Sequence, residues 1–469
     1  MSESPGQPPS GQPYLSTTRG AALYIGALLG PGLLLLPGLA AAQAGPASVL
    51  AWLGLLCLSG LFAAVFSGLG RKLPSAGGVM GYVAAGLGPR AGLIAGWSFL
   101  TGVVGGAPVV CLIGASYVTA LTGGGLVTRA VVAAALLVIV LALAAGGLRA
   151  SAGTQVLLVS VLIGIVIVAV AGSASAARAA NWMPFAPHGW LSVGHAATTL
   201  MLSFVGWEAV APLTTRFADP SRQLPRVIGI ALATTTALYL SLAVAVIGVL
   251  GPGAASSVPL ADLLRRSVGA AGPAVAAVTA IVLTLGTVNA YVTGAGTMAR
   301  ELIRGRDSRA ARGHRAGPQR GFLAAVAAAG LVLLTLYGAG LVTTTGMVGV
   351  PTTLFLFVYL GAMAAATVSL RGAARAAAIP AVLAVVVMLA YCGWLLAIPA
   401  GVALAVSTVL VRRASVGRAS VHSGSGRRAS ASGHDATLIV GPCRRSPRPT
   451  ASTGTSSPTS SGCGTGSRW

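Results

Sequence analysis

Charge is what this sequence has least of. Only 8% of its 469 residues are charged and only 7 are acidic, where soluble globular proteins carry roughly a quarter charged residues. A water-soluble fold of this length needs more polar surface, so a soluble enzyme and a simple secreted domain are excluded. Aromatic residues are scarce too, at 5%. The five cysteines form no CxxC pair, which argues against a metal or disulfide framework. Cys57, Cys111 and Cys392 lie in apolar runs, where the thiol behaves as a small hydrophobe, and Cys443 and Cys463 lie in a polar tail. Glycine is abundant, at 65 residues, but follows no Gly-X-Y period, so collagen is excluded.

What is present is apolar length. Hydrophobic residues make up 55% of the chain and the mean hydropathy is +0.86. Apolar runs of about twenty residues recur, the length a helix needs to cross a hydrocarbon core of roughly 30 Å. A membrane β-barrel would show alternating segments of about ten residues instead. The expected fold is an all-α polytopic membrane protein. Twelve spans are predicted, at 21–43, 46–70, 91–120, 126–148, 152–172, 194–216, 226–250, 271–299, 321–341, 345–370, 376–394 and 395–411. Residues 1–19 form a polar N-terminal segment without the charged start of a signal peptide, 20–411 the membrane domain, and 412–469 a basic tail. The tail is rich in Ser, Gly, Arg and Thr, and that composition predicts disorder. Its basic residues suit anionic lipid headgroups. Nucleic acid is not expected as a partner, since Trp469 is the tail's one aromatic for stacking. Gly77 to Gly88 is too short to cross and is predicted to be an interfacial helix on the cytoplasmic side.

The net charge of +23 is distributed unevenly. With the N-terminus inside, 17 of the 30 basic residues fall in inner segments before the tail, 4 in outer loops and 9 in the tail. Basic loops stay cytoplasmic, so both termini are expected inside the cell membrane.

Two spans carry internal breaks. Span 1 contains Gly30-Pro31-Gly32. Proline lacks an N–H and clashes with the preceding turn, and glycine weakens a helix further. Freed backbone groups cannot face lipid and must face protein or a water-filled cavity. Span 6 reads Met201-Leu202-Ser203-Phe204-Val205-Gly206-Trp207-Glu208 and continues to Pro212. Glu208 is the one carboxylate well inside a span, which makes it a functional candidate. Three roles fit it: a neutral group bonded to backbone and holding the break, a proton carrier, or a substrate contact.

Spans 1 and 6 lie five apart, so these are interrupted helices in corresponding positions of two inverted halves, the sequence pointer to a carrier's midplane site. Amides at Gly30 to Gly32 suit a carboxylate. Carbonyls near Gly26 and Ala27, and around Leu202 to Val205, suit an ammonium. The expected ligand is a zwitterion whose side chain bears no charge, with Phe204, Trp207 and Trp97 as apolar walls. Thr284, Thr287, Asn289 and Thr293 in span 8 either help hold Na⁺ or bond neighbouring helices. His195 is a weaker candidate.

These stretches resemble the amino acid–polyamine–organocation superfamily of secondary transporters, nearest its bacterial methionine and branched-chain amino-acid efflux group. The resemblance is carried by Gly26 to Pro37, Gly70 to Val79, Gly96 to Leu100, and Phe204 to Ala209 continuing through Ala218-Asp219-Pro220 to Arg226. It implies a five-plus-five inverted repeat (LeuT-type) with two extra helices, and substrate held at Gly30, Pro31, Gly32, Phe204, Gly206 and Glu208. It further implies secondary transport of neutral amino acids, by efflux, with uptake or exchange as alternatives. The coupling ion expected is H⁺, with Na⁺ the alternative; no cofactor and no catalysis are expected. Pro31 departs from the family, where a small polar residue is common, and removes one amide. Span 5 lacks the lysine of some relatives. The rival of another class, an intramembrane lipid-linked transferase, would need acidic or histidine clusters, and neither DxxD nor HExxH occurs.

Overall fold

A computed structural model describes residues 14–73, 78–147, 152–208, 217–304 and 317–409. The expectations for the tail from 412 onward and for Pro212 lie outside the described residues. Among those described, the chain is helical and contains no strand.

Span 1 is two helices, α1 (Thr17–Leu28) and α2 (Gly32–Ala44). Span 2 is α3 (Ser48–Lys72), followed by the short α4 (Gly78–Leu87). Spans 3 to 5 are α5 (Pro89–Thr122), α6 (Leu126–Ala145) and α7 (Ala152–Ser173). Span 6 opens with α8 (Leu191–Leu200) and tightens to a 3₁₀ turn at Met201–Phe204. Span 7 is α9 (Pro220–Ala245) with a π-helical end at Val246–Leu250. After it come α10 (Pro259–Val268) and α11 (Gly272–Arg304). The last are α12 (Gly317–Gly338), α13 (Thr344–Ser369), α14 (Gly372–Ala390) and α15 over 397–409. Nine runs among the described residues are long and apolar enough to cross a membrane. The twelve predicted spans exceed this because Gly32–Lys72 is one continuous run holding α2 and α3, while Leu191–Phe204 and Gly393–Val409 are shorter than a crossing requires.

Two groups of helices can be distinguished, joined where α2 touches α5 and where α13 packs on α5, α3 and α8. One joins α1 and α3 to α9, and α2 and α3 to α8; the other joins α5 to α6, α11 and α12. The most apolar stretch of α5 is 83% buried, against 22% for α6, so α5 is a central post and α6 faces lipid.

The helix α4 is ten residues long and too short to cross, as the sequence predicts. It docks on α5 and α13 and buries Val79, Tyr82 and Val83. Small residues allow this: a Cβ on Gly86 would stand 2.7 Å from Ala365 Cα. Its counterpart five spans later, α10, was not anticipated. There Pro259 at the first turn starts the helix, Leu260, Leu263 and Leu264 are buried, and Arg265 and Arg266 sit in the last turn, where the dipole favours them. Ser256 Oγ donates to Asp262 Oδ2 at 2.5 Å and accepts from Val258 N at 3.0 Å. On the opposite side of the membrane domain by the predicted topology, Asp219 caps α9. Its carboxyl is held below the usual carboxylate range, first by the Ser221 hydroxyl and then by the Arg222 amide and charge.

Candidate functional site

The first break follows from its residues. Leu29 leaves the helix at φ −79°, ψ 61°, and Pro31 caps α2 without a side-chain bond. Leu33 N donates to Gly30 O at 3.1 Å and Leu34 N to Pro31 O at 3.0 Å, which starts α2 in a tight turn. Gly32 N, at the head of that turn, has no carbonyl one turn back within α2 to bond. In the second break Val205 is extended at φ −71°, ψ 126° and Gly206 takes φ 148°.

The two breaks touch. A Cβ on Gly206 would stand 2.7 Å from Ala27 O, and one on Gly32 2.7 Å from Ser203 Oγ. Beside them lies a cavity of about 70 Å³, room for several waters or a small organic molecule. Its lining comes from span 1 (Ala27, Leu28, Gly30, Pro31, Gly32), span 6 (Leu202, Ser203, Val205), α5 (Gly102, Val103, Gly106, Ala107, Val110), α11 (Thr287, Val288, Tyr291) and Phe355 of α13. None of these side chains carries a charge. Ser203 Oγ is buried and has no hydrogen-bond partner.

Other predicted residues point elsewhere. Gly26 faces Gln155 of α7, whose amide leaves no room for a Cβ. Phe204 stacks on Trp52 and Tyr239, with centroids 6.0 and 5.4 Å apart. Trp207 is fully buried, and its indole N–H donates to Ser59 Oγ at 2.9 Å. Trp97 is partly buried against the core. Of the span 8 group, Thr287 lines the cavity, whereas Thr284 Oγ1 faces Gly114 of α5 and Thr293 bonds Asn289 within its own helix at 3.5 Å. His195 packs edge-on to Tyr391 at 5.2 Å. Among the described residues no cluster of His, Cys, Asp or Glu suits a metal ion.

Glu208 lies at the centre of a hydrogen-bond network. Oε2 accepts from Gly206 N at 2.9 Å and from the Tyr359 hydroxyl at 2.5 Å, and Oε1 accepts from the Tyr291 hydroxyl at 3.3 Å. The Tyr359 oxygen in turn accepts from Gly206 N and Trp207 N at 3.3 and 3.2 Å. The acid therefore ties the second break to α11 and α13. Sequence reasoning missed Tyr239, Tyr291 and Tyr359. The available signal was the hydroxyl each brings into an apolar span, which must find a partner when buried.

Two broken helices meeting beside an uncharged cavity inside a two-part helical bundle define a membrane transporter. Residues 15–306 match the amino acid permease family, and the chain belongs to that family. It is 32% identical over 408 residues to the uncharacterized amino acid permease YecA of Bacillus subtilis, covering 85% of this chain and 95% of the relative. It is 29% identical over 283 residues to the L-methionine/branched-chain amino acid exporter YjeH of Escherichia coli, covering 59% of this chain and 67% of the relative. The fold is shared with the crystal structure of MhsT in complex with L-phenylalanine, at a TM-score of 0.55 and 14% identity, over 81% of this chain and all of that one.

Proposed function

We propose that this permease carries neutral, mainly apolar L-amino acids across the cytoplasmic membrane, in exchange for protons and in the direction of export. The observation that carries the reading is the lining of the cavity, which holds no charged side chain where the two breaks meet. A zwitterion needs none. Its α-carboxylate is placed at the amide end of α2, beside Gly32, where the helix dipole is positive. Its α-ammonium is placed at the carbonyl end of α1 and at the turn of span 6, beside Leu28 and Ser203. Val103, Val110 and Phe355 supply apolar contact for the side chain. A cationic or anionic side chain there would be buried without a counter-charge, at a cost of several kcal/mol. The group holding α1, α3, α8 and α9 rocks against the group holding α5, α6, α11 and α12, exposing the cavity to each side in turn.

Glu208 is the proton carrier in this reading. As a carboxylate it accepts from three donors. Once protonated, it has a proton to place. The new O–H donates to the Tyr359 oxygen, and Tyr359 turns its own proton to Phe204 O, 3.3 Å away. No proton is lost in the exchange, and the donor set at the second break is rearranged. Export is supported by YjeH, an exporter by name.

In proteoliposomes, labelled leucine or methionine is expected to show saturable counterflow that excess lysine or glutamate does not compete with. Lysine carried as well as leucine would refute the assignment of substrate class. Overproducing cells should hold less leucine than controls; more leucine would make the protein an uptake carrier. Both termini are placed in the cytoplasm, so tags at either end should resist labelling in intact cells, and labelling from outside would reverse the topology.

A further inference from the structure

Four exposed cations meet at one corner of the bundle. Arg71 and Lys72 close α3, and Arg371 and Arg375 stand at the start of α14. The corner is closely built. A Cβ on Gly68 of α3 would stand 3.0 Å from both Ala374 Cβ and Leu370 Cδ1, so the last turns of α3 lie against the turn between α13 and α14. Lys72, four residues further on and on the same helix face, donates from Nζ to Ser369 O at the end of α13. Arg71 Nε donates to Ser67 O of its own helix at 3.4 Å. Arg371 is the N-cap of α14 and makes no side-chain cap bond, so the first N–H groups of that helix add to the positive potential. The one ion pair among the described residues is Arg222 with Asp219, elsewhere. Among those residues the side chains of Arg371 and Arg375 have neither a hydrogen bond nor an ion pair.

Basic residues at helix ends are common in membrane proteins, and what distinguishes this corner is the surface that leads away from it. On α14, Ile379, Leu383 and Val387 follow Arg375 at four-residue spacing and share its face. They are 58%, 65% and 50% exposed, whereas Ala378, Ala381 and Val385 are buried. On α3, Ala64 and Cys57, two and four turns before Arg71, are also exposed. The two helices pack on each other, so apolar strips on both run up to the cations. A dissolved anion would use the charge alone. A molecule with a phosphate head and apolar chains uses the charge and the strips together.

We infer that this corner binds an anionic phospholipid. The phosphate sits at Arg371, Arg375 and the first turn of α14, Arg71 and Lys72 face it from α3, and the acyl chains lie along α14 and α3. Arginine is the cation best matched to a phosphate, which it can grip with two parallel N–H bonds. The bound lipid joins the end of α3, a member of the rocking group, to α13, which bridges the two groups. By the predicted topology the corner faces the cytoplasm, where anionic lipid attracts basic residues beside the membrane. The site itself depends neither on that topology nor on which solute is carried.

The test follows thermal unfolding of the full-length protein in a neutral detergent, with phosphatidylglycerol, phosphatidylcholine or glycerol 3-phosphate added, and with bound phosphatidylglycerol measured alongside. The wild type is expected to gain about 3 °C with phosphatidylglycerol and nothing with the other two. Arg371→Gln combined with Arg375→Gln removes two exposed side chains that hold nothing in the fold. This variant is expected to melt like the wild type without lipid, but to bind phosphatidylglycerol about tenfold or more weakly and lose most of the gain. Arg371→Lys with Arg375→Lys keeps both charges and should keep most of it. Arg265→Gln with Arg266→Gln, on α10, removes as much charge elsewhere and should keep all of it. An equal gain with phosphatidylcholine would show general lipid solvation, and an equal gain with glycerol 3-phosphate a site for a free anion; either overturns the assignment. So would a full gain in the Arg371/Arg375 glutamine variant, its loss in the lysine variant, or an equal loss in the α10 variant.

Discussion

Gly206→Ala is expected to slow transport at least a hundredfold. Gly206 holds φ at 148°, in the region that L side chains rarely adopt, and forcing alanine to stay there costs on the order of 1–3 kcal/mol. A Cβ would also stand 2.7 Å from Ala27 O and 3.0 Å from Ala27 C. Those are backbone atoms of the first break and cannot rotate aside. Relief comes only by separating the two breaks, which also pulls Gly206 N from Glu208. Strain and contact together reach about 3 kcal/mol, and roughly 1.4 kcal/mol is tenfold. The counterflow rate per molecule of purified protein is the measurement, and a variant keeping more than a tenth of the wild-type rate would mean that the breaks do not need to touch.

Glu208→Gln is expected to abolish flux driven by a pH gradient while leaving substrate exchange within about twofold. Glutamine keeps the length and shape of the acid but cannot gain or lose a proton near neutral pH. Its amide oxygen can still accept from Gly206 N and Tyr359, so the break stays tied. Its amide nitrogen, however, faces the Tyr291 hydroxyl as a donor, and that phenol oxygen can accept it. The site is therefore held, and only the exchangeable proton is lost. Gradient-driven and gradient-free uptake in one vesicle preparation separate the two. Surviving gradient-driven flux would move proton coupling to another group, and loss of both modes would make Glu208 a structural pin. Wild-type gradient-driven transport should depend on pH, and the variant's exchange should be flat where the wild type's varies.

The breaks were legible because proline and glycine act on their own backbone. Gly30-Pro31-Gly32 disrupts a helix whatever surrounds it, and the structure separates α1 from α2 there. The lone acid Glu208 was legible because ionisable groups are so rare in these spans. The partners of that acid were not. Tyr291 and Tyr359 reach it from residues 83 and 151 positions away, and no local pattern encodes such a meeting. Gly102, Gly106 and Phe355 likewise join the cavity only because α5 and α13 pack side by side. The directions of Phe204 and Trp207 were illegible for a different reason. Helical periodicity assigns faces only while the helix continues, and both residues stand where it has already given way to a 3₁₀ turn and an extended residue.

Tyr117, near the C-terminal end of the central post α5, has a consequence for how that end of the bundle opens. Its hydroxyl donates to Leu34 O of α2 at 2.7 Å and accepts from Leu260 N, at the start of α10, at 3.3 Å. One buried oxygen thus fastens both the upper part of span 1 and the small helix laid over it. Neither can lift alone without stranding a polar atom in a dry place, a penalty of about 1–3 kcal/mol. The two must come away together, so a half-ajar conformer through which solutes seep is disfavoured, and the passage behaves as a door with a single bolt.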